Sequence, residues 1–178
     1  MITSPAALTP DECDALIAAA LAGQMRSAGL VGSVNDASVR RADIVWVDDL
    51  PGMAWVMDRM VSVVSAANRE FCYAVEGFDE SAQVARYDAV DAAHFDWHAD
   101  VGAGVAAARR KLTVVVQLSA PDYAGGVLEV RPSHAVLQAD VTRGMACVFP
   151  SYMLHRVTPV TSGVRWSLTL WAHGPAFR

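Results

Sequence analysis

The chain of 178 residues has few cysteines, little positive charge and no long apolar run. Its three cysteines, Cys13, Cys72 and Cys147, lack metal-site spacing and cannot all pair within one chain, which predicts a reducing, cytoplasmic location. A net charge of -5 disfavours nucleic-acid binding, because nucleic-acid-binding proteins usually display a basic surface. The chain shows neither a membrane-spanning run nor the features of a signal peptide, so we expect no membrane insertion and no secretion.

Length and composition favour one domain over residues 1–178. The chain is 53% hydrophobic, which is ample for a buried core, and it shows neither an internal repeat nor a low-complexity tail. We expect helical support over about residues 1–72 and a β core over about residues 73–178. The predicted class is therefore mainly β with N-terminal helices (α+β).

Helix signals are concentrated in the N-terminal part. The segment 9–12 (Thr-Pro-Asp-Glu) combines an N-cap threonine, a proline at the first helical position and a glutamate three residues after the cap, which predicts a helix through about Ala22. A second helix is predicted from Gly52 to about Glu70, because apolar residues recur there at helical spacing. Between them, Arg40 to Val47 alternates and is predicted to be a strand.

From Tyr73 onward, β-branched and aromatic residues recur in short runs separated by Gly, Pro and Asp, which is typical of a barrel or jelly roll. The predicted strands are Gln83 to Tyr87, Phe95 to Asp100, Leu112 to Leu118, Val127 to Val130, Met145 to Phe149, His155 to Val157 and Val164 to Trp171. The small-residue stretch Val101 to Ala108 is predicted to be a loop or a mobile lid.

Two histidines and an aspartate form a candidate metal-binding set. His98 and Asp100 lie two apart, so on a strand their side chains share a face. His155 comes 57 positions after His98 and can join them only if a later strand folds back beside the first. Two imidazoles and one carboxylate form the facial triad of non-haem Fe(II) oxygenases, although zinc accepts the same ligands.

Arg165 favours the iron interpretation. It lies ten positions after His155 and two before Ser167, so on a strand the two side chains face the same way. Arginine is the residue best suited to hold a carboxylate by a bidentate fork, which indicates a bound dicarboxylate.

On three motifs the chain resembles the 2-oxoglutarate/Fe(II)-dependent dioxygenases, in their prolyl 4-hydroxylase-like branch. The motifs are Phe95-x-x-His98-x-Asp100, the segment 125–128 (Gly-Gly-Val-Leu) and the block 149–168, which contains His-Arg-Val-Thr-Pro-Val-Thr-Ser-Gly-Val-Arg. Together they span roughly half the chain, from Tyr87 to Trp171. The resemblance implies a double-stranded β-helix (jelly-roll) core.

The resemblance also implies roles for particular residues. Carried over residue by residue, it gives three iron ligands (His98, Asp100 and His155), three cosubstrate contacts (Arg165, Ser167 and Tyr87) and one substrate contact (Arg110). For Arg110 the alternative is a solvated strand end. Tyr87 lies two positions upstream of the family spacing, a frequent family glycine is Ala92 here, and a common tyrosine is Gln117.

A competing pair, His94 and Asp96, has the same spacing as His98 and Asp100. On a regular strand all four side chains would share a face, so spacing alone cannot choose between the pairs. The preceding Phe95 and the resemblance favour His98 with Asp100, and we interpret His94 and Asp96 as residues that either support the metal ligands or lie at the strand edge. We expect Trp97 to pack away from the metal, and we treat His134 and His173 as surface or structural residues.

The resemblance implies an enzyme that uses Fe(II), with 2-oxoglutarate and dioxygen as cosubstrates and ascorbate as an aid. It would hydroxylate an unactivated C–H bond and release succinate and CO2. A prolyl residue in a peptide, a free amino acid and a natural-product intermediate are all compatible substrates, and oligomeric state stays open. Two alternatives are a non-catalytic metal-binding jelly roll and a metal-dependent hydrolase that uses Asp96 as its base.

Overall fold

The computed structural model describes residues 2–4, 6–28, 36 and 38–177. Within these residues the chain forms two α-helices, α1 (Pro10–Ala22) and α2 (Trp55–Phe71), and fourteen strands. The strands are β1 (Ile2–Ser4), β2 (Arg26–Ser27), β3 (Arg40–Arg41), β4 (Asp43–Trp46), β5 (Gln83–Asp88), β6 (His94–His98), β7 (Arg110–Gln117), β8 (Ala124–Gly125), β9 (Leu128–Arg131), β10 (Leu137–Gln138), β11 (Ala146–Pro150), β12 (Leu154–Val157), β13 (Val160–Ser162) and β14 (Val164–His173).

Both predicted helices are confirmed. Helix α1 begins with a complete capping box, in which the Glu12 amide donates to Thr9 Oγ1 at 3.2 Å and the Thr9 amide donates to Glu12 Oε2 at 2.8 Å. Helix α2 begins three residues after Gly52, because the chain first turns there with a positive φ of 77°. Neither helix of the described chain is long and apolar enough to cross a membrane.

The strands form two main antiparallel sheets, as a double-stranded β-helix requires. The larger sheet has the order β1-β11-β7-β14-β5-β4-β2, and the smaller has the order β10-β9-β12-β6-β3. Strands β8 and β13 form a separate pair. Apolar side chains from the two main sheets, among them Val115 and Phe149 on one and Leu128 and Val157 on the other, share one buried cluster. The sheets therefore pack face to face.

The seven-stranded sheet lies between the helices and the smaller sheet, and strand alternation decides which side chains face which layer. On β14, Leu168 and Leu170 join Leu16 and Met60 of the helices in a second buried cluster. The intervening residues of β14 face the smaller sheet, where the cavity lies. The seven predicted strands of the β part are confirmed with small shifts at their ends.

Three expectations are corrected. The strand predicted from Arg40 to Val47 breaks at Ala42, so that β3 and β4 belong to different sheets. The N-terminal part is not only helical support, because β1, β3 and β4 pair within the main sheets. The strand predicted to reach Asp100 ends at His98, since the chain then turns away.

Candidate metal centre and cosubstrate pocket

Three potential metal ligands converge between the two sheets. His98 Nε2 lies 3.7 Å from Asp100 Oδ1, and His155 Nε2 lies 3.4 Å from Asp100 Oδ2. One ligand atom from each residue falls within 4.8 Å of the other two. His155 and Asp100 are buried and His98 is partly buried, so a cation held there would be screened from bulk water.

Strand pairing brings the two histidines together. His155 on β12 is directly opposite His98 on β6, although 57 positions separate them. Their ring centroids are 4.1 Å apart. The expectation that a later strand folds back beside the first is confirmed.

A β-bulge in this strand pair resolves the competition between the two His-x-Asp pairs. His98 is opposite His155 and Phe95 is opposite Val157. The chain therefore advances three residues along β6 between these two pairs but only two residues along β12. The extra residue interrupts the alternation, and Phe95 and His98 both face the cavity with their rings stacked at 3.4 Å. The expectation that His94 shares a face with His98 is therefore wrong.

The competing pair lies outside the cavity. His94 Nε2 lies 3.1 Å from the carbonyl oxygen of Ser38, and Asp96 is exposed and accepts a hydrogen bond from the Trp97 amide at 2.7 Å. The hydrolase alternative relied on Asp96 as a base near the metal. The position of this side chain removes that base.

Backbone carbonyls orient both imidazoles of the centre. His98 Nδ1 lies 2.7 Å from the carbonyl oxygen of Asp96, and His155 Nδ1 lies 2.9 Å from that of Met153. A carbonyl can only accept, so in the neutral form of each ring Nδ1 carries the proton and Nε2 presents a lone pair. Such carbonyl partners fix the tautomer of metal-binding histidines.

Asp100 is fixed by contacts that its sequence position does not reveal. Its amide donates to the carbonyl of Ser151 at 2.9 Å, and its Oδ2 accepts from Thr113 Oγ1 at 2.6 Å. Thr113 lies on β7, at a position that alternation turns toward the smaller sheet. The carboxylate therefore keeps its place beside the histidines although it lies beyond the end of β6.

The electrostatics of the cluster favour the protonation states that a metal requires. Burial and the neighbouring His155 lower the pKa of His98 to about 4. Burial raises the pKa of the Asp100 carboxyl, but His155, His98 and the hydrogen bond from Thr113 outweigh it, so this pKa lies below its usual value. At neutral pH the site therefore offers a neutral His98 and an ionised carboxylate.

A cavity of about 920 Å³ adjoins the three ligands. Every residue that the sequence assigned to the site lines it: His98, Asp100, His155, Arg165, Ser167, Tyr87 and Arg110. The loop that contains Gly104, Val105 and Ala106 forms part of its wall. Gln117 lies outside this cavity and donates to the Tyr123 hydroxyl at 3.0 Å.

Arg165 forms a cationic end of the cavity. It is only 3% exposed, and within the described part of the chain its buried Nη1 has no hydrogen-bond partner. Its Cζ lies 5.5 Å from the ring centre of Tyr87, the residue opposite it on β5. Ser167, two residues along β14, lines the same cavity. A buried guanidinium with an unsatisfied nitrogen is suited to bind an anion.

The Gly-Gly motif makes room for Arg165. Gly126 has a positive φ of 59°, and a Cβ added there would lie 2.8 Å from Arg165 Cδ and 2.9 Å from Val160 Cγ2. Any larger residue would push against the arginine side chain. This glycine therefore contributes to the pocket through the space that it leaves.

Arg110 is buried, so the expectation of a solvated strand end is wrong. Its Nε and Nη2 donate to the two carboxylate oxygens of Glu80 at 2.6 and 2.5 Å, and its Nη1 donates to the Asp100 carbonyl at 3.1 Å. The guanidinium also lies over the Trp171 ring at 3.9 Å. These contacts hold the backbone at Asp100, and a role in substrate binding stays a prediction.

Glu80 is the principal member of the site region that sequence reasoning missed. It also accepts a hydrogen bond from His173 Nε2 at 2.9 Å, because His173 Nδ1 is occupied by the Asp79 amide. His173 is wholly buried, so the structural interpretation holds and the surface one is wrong. His134 is exposed, and Trp97 packs between Arg131 and Arg156 away from the cavity.

The model of the 2OG-Fe(II) oxygenase superfamily matches residues 82–173, which contain all seven assigned site residues. The chain belongs to that superfamily. Membership implies Fe(II) as the metal, with 2-oxoglutarate and dioxygen as cosubstrates. The donor set fits, since two imidazoles and a carboxylate suit Fe(II).

The curated and solved relatives include hydroxylases. A PKHD-type hydroxylase of Burkholderia ambifaria is 42% identical over 64 residues, which is 35% of this chain and only 28% of that protein. A Pseudomonas putida prolyl-4-hydroxylase superposes with a TM-score of 0.74 at 25% identity, over 97% of this chain and 92% of the other. A prolyl hydroxylase from Trichoplax adhaerens, solved with a hypoxia inducible factor peptide fragment, shares the fold with a TM-score of 0.78 at 20% identity, over 97% and 82%.

Proposed function

We propose that this superfamily member is a 2-oxoglutarate- and Fe(II)-dependent dioxygenase that hydroxylates an unactivated C–H bond and releases succinate and CO2. One observation carries the proposal: the His98, Asp100 and His155 cluster and the buried cation Arg165 open into the same cavity. A metal site alone would not require such a cation. A ligand that bridges metal and guanidinium would lie within this one cavity.

His98, Asp100 and His155 would hold the iron, which supplies oxidation by dioxygen coupled to decarboxylation of 2-oxoglutarate when it is bound. The protein itself orients the metal ligands and the cosubstrate and excludes water from the site. The carbonyls behind each histidine and the Thr113 hydroxyl behind Asp100 fix the ligand directions before the metal arrives.

Arg165 would bind the distal carboxylate of 2-oxoglutarate through its fork, which satisfies the buried Nη1. Tyr87 would cover the guanidinium with its ring. Ser167, two residues after Arg165 on β14, would add a hydroxyl contact to the cosubstrate. Burial strengthens this ion pair relative to water, so it can anchor the cosubstrate. The orientation then presents the keto-acid end to the metal.

The substrate is proposed to be a prolyl residue, an amino acid or a natural-product intermediate. The Pseudomonas putida and Trichoplax adhaerens neighbours are prolyl hydroxylases, and the second was solved with a peptide, which supports a prolyl or amino-acid-like substrate. A small molecule or a peptide would enter from the open part of the cavity. Nucleic acid and membrane are not proposed as partners, since the chain carries net negative charge.

We also propose a single domain over residues 1–178 and a cytoplasmic location. Pairing of the N-terminal strands β1, β3 and β4 with later strands supports the first. Three free cysteines support the second, because exposed Cys72 in particular would be prone to oxidation in an oxidising compartment. A non-catalytic metal-binding jelly roll stays the alternative function, and it predicts no requirement for Arg165.

The test is anaerobic addition of Fe(II) and 2-oxoglutarate to metal-free protein, with the weak visible charge-transfer band of the chelate as the readout. We expect a band that needs both components. Arg165→Ala should abolish the band and turnover yet keep iron affinity, whereas His155→Ala should lose iron. Arg59→Ala, which breaks an exposed pair with Glu12, is the control and should behave as wild type. Iron binding without a band would favour the non-catalytic alternative.

A further inference from the structure

Trp171 combines deep burial with an unused hydrogen-bond donor. It lines the cavity and is only 6% exposed. Within the part of the chain that the structure describes, its indole Nε1 has no hydrogen-bond partner. Native proteins leave few buried donors unpaired, because such a group loses its hydrogen bonds to water and gains none in return. The indole N–H is therefore expected to have an acceptor that the folded chain alone does not yet engage.

The acceptor beside this indole is the carboxylate of Asp100. Trp171 on β14 lies directly opposite Thr113 on β7, so the two side chains are neighbours on one face of the sheet. Thr113 Oγ1 donates to Asp100 Oδ2 at 2.6 Å. Burial raises the pKa of the Asp100 carboxyl, but the two neighbouring histidines, Thr113 and Trp171 together lower it. The indole thus already acts on the carboxylate, although it makes no hydrogen bond to it.

Arg110 holds both the indole ring and the backbone of Asp100. Its Cζ lies 3.9 Å from the centre of the Trp171 ring, and its Nη1 donates to the Asp100 carbonyl at 3.1 Å. Glu80 fixes the same guanidinium through two hydrogen bonds. With the ring and the backbone both held, a rotation of the Asp100 side chain is the simplest movement that completes a hydrogen bond between indole and carboxylate.

An ionised carboxylate can accept this hydrogen bond and bind a metal at the same time. Its two oxygens offer about four acceptor sites, and the hydrogen bond from Thr113 occupies one of them. We propose, on the basis of the metal centre in the function proposed above, that Trp171 is a positioning residue whose indole N–H donates to the Asp100 carboxylate once that carboxylate binds the metal. An indole nitrogen is a donor only, so Trp171 acts through Asp100 and not as a ligand. Such a partner fixes the orientation of the ligand that it holds.

The first test measures metal affinity in two tryptophan variants of β14. Trp171→Phe keeps an aromatic ring beside Arg110 and removes the N–H. We expect its affinity for Fe(II), titrated under anaerobic conditions, to fall roughly 10- to 100-fold, as is usual when the partner of a metal ligand is lost. Trp166→Phe is the matched control, because Trp166 packs with the helices and does not line the cavity. Equal affinities in the two variants would overturn the role of Trp171.

The second test observes the hydrogen bond in the wild type and so does not depend on how a variant folds. The indole N–H resonances would be followed by NMR as Zn(II), a diamagnetic ion that accepts the same ligands, is added. A proton that enters a hydrogen bond moves downfield, so we expect the Trp171 resonance, assigned through its nuclear Overhauser contacts, to do so and that of Trp166 to stay in place. A Trp171 resonance that does not move, or moves only when 2-oxoglutarate follows Zn(II), would overturn the assignment to Asp100.

The chelate band separates failure of this proposal from failure of the proposed function. Neither test of Trp171 requires turnover or the formation of that band. If the wild type forms no band, but Trp171→Phe loses metal affinity and the indole resonance moves with Zn(II), the proposed function fails and the role of Trp171 stands. If the band forms, but metal affinity and resonance do not respond, only the role of Trp171 fails.

Discussion

Two buried arginines line the same cavity and have opposite surroundings. Arg110 is 7% exposed and donates three hydrogen bonds, two to Glu80 and one to the Asp100 carbonyl. Arg165 is 3% exposed, and within the described chain its Nη1 has no partner. A buried cation whose donors are used inside the protein holds the structure in place. One that keeps an unsatisfied donor is available to a ligand, which is why Arg165 and not Arg110 is the proposed cosubstrate anchor.

The largest expected effect comes from removing the partner of Arg110. Glu80→Gln leaves a buried guanidinium without its counter-charge, so we expect the free energy of unfolding to fall by about 3 kcal/mol in urea titration. Glu76→Gln is the matched control, because Glu76 pairs with Arg109 at the surface at 2.8 Å and exposed pairs contribute about 1 kcal/mol or less. Equal losses in the two variants would mean that Arg110 does not depend on Glu80.

The same carboxylate should give the fold a distinct acid sensitivity. Burial raises the pKa of Glu80, but hydrogen bonds from His173 and Arg110 outweigh it and lower the pKa to about 2 from an ordinary 4.5. A depressed pKa contributes stability that is present above about pH 4.5 and lost as the pH falls toward 2. The free energy of unfolding should therefore depend less steeply on pH in Glu80→Gln than in the wild type across that window. Parallel profiles would contradict this.

The comparison also shows which features could be predicted from the sequence. The strands of the core could be predicted, because alternating side chains and β-branched residues indicate them locally. The metal ligands and Arg165 could be assigned because they lie in motifs with characteristic spacing. Glu80 could not, since nothing near it in the sequence indicates that it meets Arg110 and His173 across thirty and ninety-three positions.

Two irregularities of the backbone could not be predicted from the sequence either. The bulge between Phe95 and His98 depends on how β6 pairs with β12, which a single strand's pattern does not encode. If the bulge is not known, the alternation of side chains along a regular strand places His94 on the same face as His98. Likewise the segment from Arg40 to Val47 reads as one strand, although the break at Ala42 sends its halves into different sheets. Arg40 in the first half and Ile44 in the second both line the cavity.

A smaller effect is expected from narrowing the space beside Arg165. Gly126→Ala forces an L side chain at a positive φ of 59° and places a Cβ 2.8 Å from Arg165 Cδ. We expect stability to fall by about 1 to 2 kcal/mol and the affinity for 2-oxoglutarate to fall as well, measured by titration of the chelate band. Gly52→Ala is the control, since it has a φ of 77° and no atom within 4 Å of the added Cβ. It should lose stability alone, and a parallel loss of affinity would contradict the contact with Arg165.

The smallest effect on the stability of the folded protein should come from replacing Arg165, the more deeply buried of the two arginines. In metal-free protein, Arg165→Met removes a buried charge that lacks a full set of partners, and a side chain of similar length fills its place. We expect the free energy of unfolding to change by no more than about 1 kcal/mol, because burying an incompletely paired charge contributes little net stability. Fe(II) with 2-oxoglutarate at about 100 times its Kd should then stabilise the wild type by about 2.7 kcal/mol beyond iron alone, and leave the variant unchanged. A loss in metal-free protein as large as that of Glu80→Gln would make Arg165 a structural cation like Arg110, and the distinction between the two arginines would fail.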